Sequence, residues 1–415
     1  VHELERSSGI LLHLTSLPGG RLGAEAYKFV DWLADAAQSW WQVLPLSPPD
    51  RFRSPYKSAS AFAGWSGLLA APKARVSQSE MLDFREREAY WIEDWARLAS
   101  GSKADLIADQ VRFDREWSAL RAYAAEREVR VMGDIAIYVA PSSVDHRAHP
   151  DLFSDDAVAG APPDAFSDLG QLWGNPVYDW HALRKSGYRW WVERLRRNLA
   201  SFDAVRLDHF RGFVAFWAVP PGATDARGGR WRRGPGMALF EAFHAELGAE
   251  LSLVAEDLGV ITPAVESLRD RLSLPGMLVL QFGFDPGAER FSPHAFVNHV
   301  TDRVVYTGTH DHDTIAGWYA GLTASTRARV DAVCRSAGIS KGEPSWRLVR
   351  LCLESRAAVS ILQAQDVLGL GSEARMNDPG KSGGNWRWQL RRGALNAKLA
   401  SQLREATVAA GRSAG

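Results

Sequence analysis

The chain reads as an α/β protein, a parallel (β/α)8 barrel with insertions after its second and third strands and no C-terminal β-domain. Two observations carry this reading. Eight apolar, β-branched runs ending in Gly, Pro, Asp or Ser alternate with stretches of helical period, and strand, helix, strand repeated in this way builds a parallel sheet covered by helices. Three of the runs end in acidic segments, VRLDHF at 205–210, VAEDLG at 254–259 and VVYTGTHDHD at 304–313. A barrel enzyme assembles its active site from the C-terminal ends of several strands, so three carboxylate-bearing ends in one chain suggest acid chemistry on a sugar.

The runs predict strands at 9–14, 41–46, 130–139, 203–209, 253–258, 277–284, 303–309 and 358–367. Between them, 26–40 puts Phe29, Val30, Leu33, Ala36 and Ala37 on one helical face, and 188–199 does so with Trp191, Val192, Leu195 and Leu199. Residues 237–247, 263–272 and 346–359 have the same period, and Pro263 suits a first helical position. Two connections are too long for simple crossovers. Residues 47–129 open with Pro- and Ser-rich loops and turn charged and helical; residues 140–182 are rich in Pro, Asp and Gly. Both would lie on the catalytic side and shape the substrate cleft, within one catalytic domain spanning 1–415. The last residues, AGRSAG, are expected to fray.

Composition narrows the function classes. Lys plus Arg and Asp plus Glu both number 49 among the 415 residues, so no global field favours nucleic acid or an anionic membrane. The two cysteines, Cys334 and Cys352, are too few for a disulfide framework and fall in helix-like stretches that suit buried free thiols. With no basic-then-apolar leader pattern at the start and no apolar run near the roughly 18 residues of a membrane span, a cytoplasmic protein is expected. Tryptophan is abundant, at 17 residues. Indole faces can floor a carbohydrate cleft, but core packing is expected to account for more than half of them.

The acids differ in what their spacing says. Arg206 and Asp208 are two apart and project to one side of a strand, where a guanidinium would keep Asp208 ionised for nucleophilic attack. A structural Arg–Asp pair at a strand end is the equal alternative. His209 faces away unless the strand has already ended. Glu256 and Asp257 are adjacent, and only one can face a barrel mouth. The longer glutamate suits a general acid, leaving a capping or salt-bridging role to the other. In THDHDT, His310 and His312 have the His-x-His spacing of barrel metal hydrolases, with His209 and Asp134 as further recruits. Alternatively Asp311 meets ring hydroxyls and stabilises an oxocarbenium-like transition state, with His310 donating beside it.

Eight segments, taken in order, resemble the signature blocks of one family. RSSGILLHLTSLPG, WWQVLPLSPPDRFRSPYKSASAFAGW, GDIAIYVAPSSVDHRAHPDLF, AGAPPDAFSDLGQLWGNPVYDW, FDAVRLDHFRGF, AEDLGVITPAVESLRDRLSLPGM, VYTGTHDHDTIAGW and ARMNDPGKSGGNWRWQL look like the 4-α-glucanotransferases of glycoside hydrolase family 77, the amylomaltases and disproportionating enzymes. The resemblance implies a retaining transfer of α-1,4-glucan chains between maltooligosaccharides, without metal or organic cofactor. It implies Asp208 as nucleophile, Glu256 as acid/base and Asp311 as the third carboxylate. Arg206, His209, Asp134 and His310 would frame the same subsite, and Tyr56 would stack on the sugar. Gln171 and Trp173 match an acceptor-side loop, and Asn377 matches a loop that folds over the glucan.

This chain departs from the family pattern in several places. Relatives commonly read SPYQSFSAFAGNP, where Lys57, Ala59, Trp65 and Ser66 stand here. Arg51 takes the place of an aromatic implicated in a second glucan site, THDND becomes THDHD through His312, and NxPGT becomes NDPGK through Lys381. The chain is also shorter than many relatives, mostly between strands two and three. The departures bear on donor length, the second glucan site and cyclic products. A glucan-binding barrel without turnover, a metal-dependent hydrolase and a hydrolytic α-glucan enzyme are the competing classes.

Overall fold

The computed structural model describes residues 5–163, 167–285, 287–381 and 383–413. One sheet holds eight strands: β1 (Ser7–Leu11), β2 (Trp40–Gln42), β3 (Arg130–Ile135), β6 (Ala204–Leu207), β9 (Leu253–Ala255), β10 (Gly276–Val279), β11 (Arg303–Tyr306) and β12 (Val359–Gln363). Their order is β10-β11-β12-β1-β2-β3-β6-β9, with β10-β11, β11-β12, β12-β1, β1-β2, β2-β3 and β6-β9 paired in parallel, so the fold is the predicted (β/α)8 barrel. A second, antiparallel sheet orders β4 (Phe153–Ala161), β5 (Gln171–Tyr178), β7 (Ala215–Val219) and β8 (Arg230–Arg233) as β5-β4-β7-β8.

Every predicted strand exists, but each is shorter than its apolar run. The run at 277–284 leaves the ladder after Val279 and closes in the 3-10 turn Leu280–Phe284; that at 358–367 ends at Gln363 and enters the short helix Ala364–Val367. Burial continues past the last ladder bond, and hydrophobicity reports burial. Helix ends shift for local reasons. The helix predicted at 26–40 is Ala24–Asp35, stopped by Ala37 at φ 55°. There the Gln38 N–H donates to Leu33 O at 2.8 Å and the Ala37 N–H to Ala34 O at 3.1 Å, a Schellman closure built without glycine. Pro263 does open its helix, Pro263–Arg271.

The chain folds as two compact units, one of residues 45–118 and 133–274, the other of residues 2–44, 119–132 and 275–415. The second unit carries β10-β11-β12-β1-β2 and the start of β3. Its strands β1, β2, β10 and β12 are buried at every residue, as strands covered on both faces require. The expectation that the C-terminus frays is corrected here. Arg412 is fully buried and donates to the carbonyls of Leu353, Ser7, Ala358, Ser355 and Ala357 at 2.5 to 2.9 Å. A guanidinium has five donors, enough to hold the end of the chain against β1 and the approach to β12; residues 414–415 lie outside the described residues.

The first unit holds the end of β3, then β6 and β9, and the antiparallel sheet. The 47–129 connection contributes the helices Gln78–Arg87 and Ile92–Leu98 and enters Lys103–Ala125, in line with its charged text. The 140–182 connection supplies two strands that were not among the predicted ones, β4 and β5. Pro, Gly and Asp hide these strands, and β8, RWRR, is a mostly charged sheet edge. Both cysteines are free and buried, and nine of the 17 tryptophans are core residues, more than half as expected. Among the described residues no helix is long and apolar enough to cross a membrane.

Candidate active site

In the first unit the acids gather at the ends of β3, β6 and β9. Asp134, the fifth residue of β3, is 2% exposed, and Arg206, third in β6, is 5% exposed. Arg206 Nη1 lies 2.8 and 2.7 Å from the two Asp134 oxygens, and Nη2 donates to Asp208 Oδ1 at 3.0 Å. The Tyr56 hydroxyl donates to Asp134 Oδ2 at 2.5 Å. Burial works against the Arg206 charge, but Asp134, Tyr56, Asp208 and Glu256 outweigh it and hold the guanidinium protonated. Burial and the Asp134 charge push the Tyr56 phenol well above its ordinary range.

Glu256 and Asp257 have different partners. Asp257 is clamped by Arg269 Nη1 at 2.5 Å, both buried, and is the salt-bridging acid. Glu256 follows the last residue of β9, and its carboxyl accepts from the His209 N–H at 2.6 Å and the Leu258 N–H at 2.9 Å. Burial raises its pKa to about 8. Arg206 opposes that rise, the Asp208 charge adds to it, and the Leu258 and His209 amides oppose it. One carboxyl thus lies beside a guanidinium while burial keeps a second protonated, and an environment that separates two carboxyls in this way can set an acid apart from a nucleophile.

The strand ends before His209, which adopts φ 50°, ψ 49°. Its ring meets Trp173 edge-on at 4.9 Å, and burial, then Arg211, lowers its pKa to about 3, so it is neutral. Trp173 Nε1 donates to Gln171 Oε1 at 3.1 Å, so the two residues expected on an acceptor loop are joined on β5. Tyr138 was not among the expected residues. Its ring lies 6.1 Å from Trp173, and burial, Tyr178 and the Asp208 charge raise its phenol. It sits four residues past Asp134, a place that spacing does not mark as special.

In the second unit Asp311 follows the end of β11, and its side chain is 43% exposed. Asn377 Nδ2 donates to Asp311 Oδ1 at 2.5 Å, and His310 Nε2 lies 3.4 Å from the same oxygen. Arg375, which spacing did not single out, donates to the Asp311 carbonyl at 2.6 Å and to the Asn377 carbonyl at 2.8 Å. It therefore ties the two segments together. The two histidines of HDHD diverge in their contacts. His312 turns Nδ1 to the Thr309 N–H and hydroxyl at 3.1 and 2.8 Å and packs on Phe282, while His310 packs on Trp386. Burial lowers the His312 pKa to about 4. Lys381 pairs with Asp378 at 3.0 Å in the loop after Asn377.

Comparison with known proteins identifies the family. A family model described as 4-alpha-glucanotransferase, glycoside hydrolase family 77, matches residues 12–74 and 104–396. The stretch between the two matched parts falls inside the connection between β2 and β3. The 4-alpha-glucanotransferase of Thermus thermophilus is 40% identical over 97% of this chain and 98% of its own length. That of Synechocystis is 38% identical over 98% of each. The alignment with the Thermus enzyme spans 492 positions against 415 residues, so this chain is the shorter within the shared region. Among solved structures, the amylomaltase from Streptococcus agalactiae in complex with acarbose superposes with a TM-score of 0.91 at 29% identity, covering 99% of this chain and 100% of that one. The chain belongs to glycoside hydrolase family 77, the 4-alpha-glucanotransferases.

Proposed function

We infer that the chain moves α-1,4-glucan segments between maltooligosaccharides with retention, by double displacement through a covalent β-glucosyl-enzyme. Asp208 attacks the anomeric carbon while Glu256 gives its proton to the departing glycosidic oxygen. The glycosidic bond breaks as the Asp208 ester forms. Glu256, now a carboxylate, takes the proton of an incoming 4-hydroxyl as that oxygen displaces Asp208, and two inversions leave the α configuration. The observation that carries this reading is the contrast between the two carboxyls: Arg206 puts positive charge 3.0 Å from Asp208, whereas burial keeps Glu256 protonated.

Asp311, held by Asn377, is assigned to the ring hydroxyls at the cleavage subsite, with His310 beside it. Asp134, Arg206 and His209 frame that subsite, Tyr56 stacks on the sugar, and Gln171 and Trp173 line its acceptor side. Transfer in place of hydrolysis requires the acceptor to outcompete water, and the Trp173 hairpin is the element assigned to that exclusion. The chemistry needs no metal or organic cofactor. Buried free thiols suit a reducing, cytoplasmic setting.

Maltotriose provides the test. The wild-type enzyme should release glucose while longer maltooligosaccharides appear, and Asp208→Asn should abolish both with the circular dichroism spectrum unchanged. Substantial transfer by that variant would sink the nucleophile assignment, and glucose without longer products would make the enzyme a hydrolase.

A further inference from the structure

Residues 208 to 210 make a turn whose amides are shared between two neighbours. The Asp208 N–H donates to Ile135 O at 3.0 Å, the His209 N–H to Glu256 Oε2 at 2.6 Å, and the Phe210 N–H to the Glu256 carbonyl at 3.0 Å. Two successive amides thus grip one residue. The chain manages this by reversing at residue 209, whose φ of 50° and ψ of 49° lie in the left-handed region. Glycine enters that region freely and asparagine tolerates it, whereas β-branched side chains resist it. A histidine there persists only where its surroundings over-determine it. Trp173 packs edge-on against the ring, the ring Nε2 is buried, and Gly212 leaves the ring its space, since a Cβ there would come within 3.1 Å of it.

We propose that His209 is a positioning residue whose left-handed backbone turns the amide next to the nucleophile onto the carboxyl of Glu256. Nucleophile and acid/base are then tied through a single peptide link. This rests on the roles of Asp208 and Glu256 given above. With Oε1 accepting from Leu258 and Oε2 from His209, the Glu256 carboxyl is fixed in rotation. The charged groups facing it are Arg206 and Asp208, with Asp134 and Tyr56 behind Arg206. The two amides favour its carboxylate form, so withdrawing the His209 amide favours the acid.

The test compares His209→Asn and His209→Gly, which accept the left-handed backbone, with His209→Val, which resists it. The readout is the alkaline limb of kcat/KM for maltotriose disproportionation. All three variants lose the imidazole and share whatever fall that causes. The limb should stay at its wild-type position in the Asn and Gly variants. In the Val variant it should move up by about one pH unit, the worth of a hydrogen bond to a charged group. Should the Val variant not fold, His209→Ala is read in the same way, with a smaller shift of the same sign. Limbs that coincide across the folded variants would overturn the proposal. Glu256→Gln separates the two ideas, because transfer retained there removes the acid/base reading itself, whereas an inactive Glu256→Gln with coincident limbs removes only the role of His209.

Discussion

Arg206 reaches Asp208 Oδ1 at 3.0 Å from one terminal nitrogen while the other bridges both oxygens of Asp134. A single buried guanidinium therefore serves a structural acid and the proposed nucleophile together. Arg206→Met leaves the Asp134 charge buried beside Tyr56 and should destabilise the fold by about 3 to 5 kcal/mol in urea titrations. Adding Asp134→Asn should recover much of that stability but none of the transfer activity, since Asp208 would still lack its cation.

Glu256 makes stability depend on pH. Its folded pKa lies above its unfolded value, so the stability it contributes is complete below about 4.3 and is lost as pH rises toward about 8. Glu256→Gln removes this dependence, but an amide cannot accept from both the His209 and Leu258 N–H groups through separate oxygens. The variant should be the less stable protein near pH 5, and the gap should narrow toward pH 8 by on the order of a few kcal/mol. Thermal melts across that range would read it. In kinetics the same group should set the alkaline limb, with transfer falling as Glu256 loses its proton.

Asn377 contributes a charge-assisted hydrogen bond to Asp311. Asn377→Ala should lower kcat/KM on maltotriose by roughly ten- to a hundredfold, the equivalent of one such bond, with little change in melting temperature because the carboxylate is part exposed. An equal loss of stability and activity would point to a merely structural role.

Arg412 links the chain terminus to five carbonyls. Arg412→Ala should cost about 2 to 4 kcal/mol, since several buried acceptors lose their donor at once. Denaturant midpoints would measure it, and an unchanged midpoint would mean that the terminus carries no load.

Much of the barrel was legible because its strands are buried on both faces and its helices on one, so hydrophobic period reports each element. Strand ends were less legible, as at Val279 and Gln363, where burial outlasts the ladder. The hairpin of β4 and β5 was missed because strand propensity yields to context, and Asp- and Gly-rich text can pair when a neighbouring strand supplies the bonds. Arg412 was missed for a related reason: nothing in AGRSAG announces that five carbonyls await its side chain.

The sequence by itself determined the eight strands, the acids at three of their ends and the family to which the ordered motifs belong, since these depend on local pattern. Spacing alone left Glu256 and Asp257 open, since they are neighbours in the chain, and the longer side chain and the resemblance to the family favoured Glu256 as the acid/base. Tertiary structure decided their partners: Arg269 takes Asp257, and the His209 and Leu258 amides take Glu256. The physical reason is that a carboxyl's protonation and partners follow from burial and from groups brought in by other elements, and neither is written in the residues beside it.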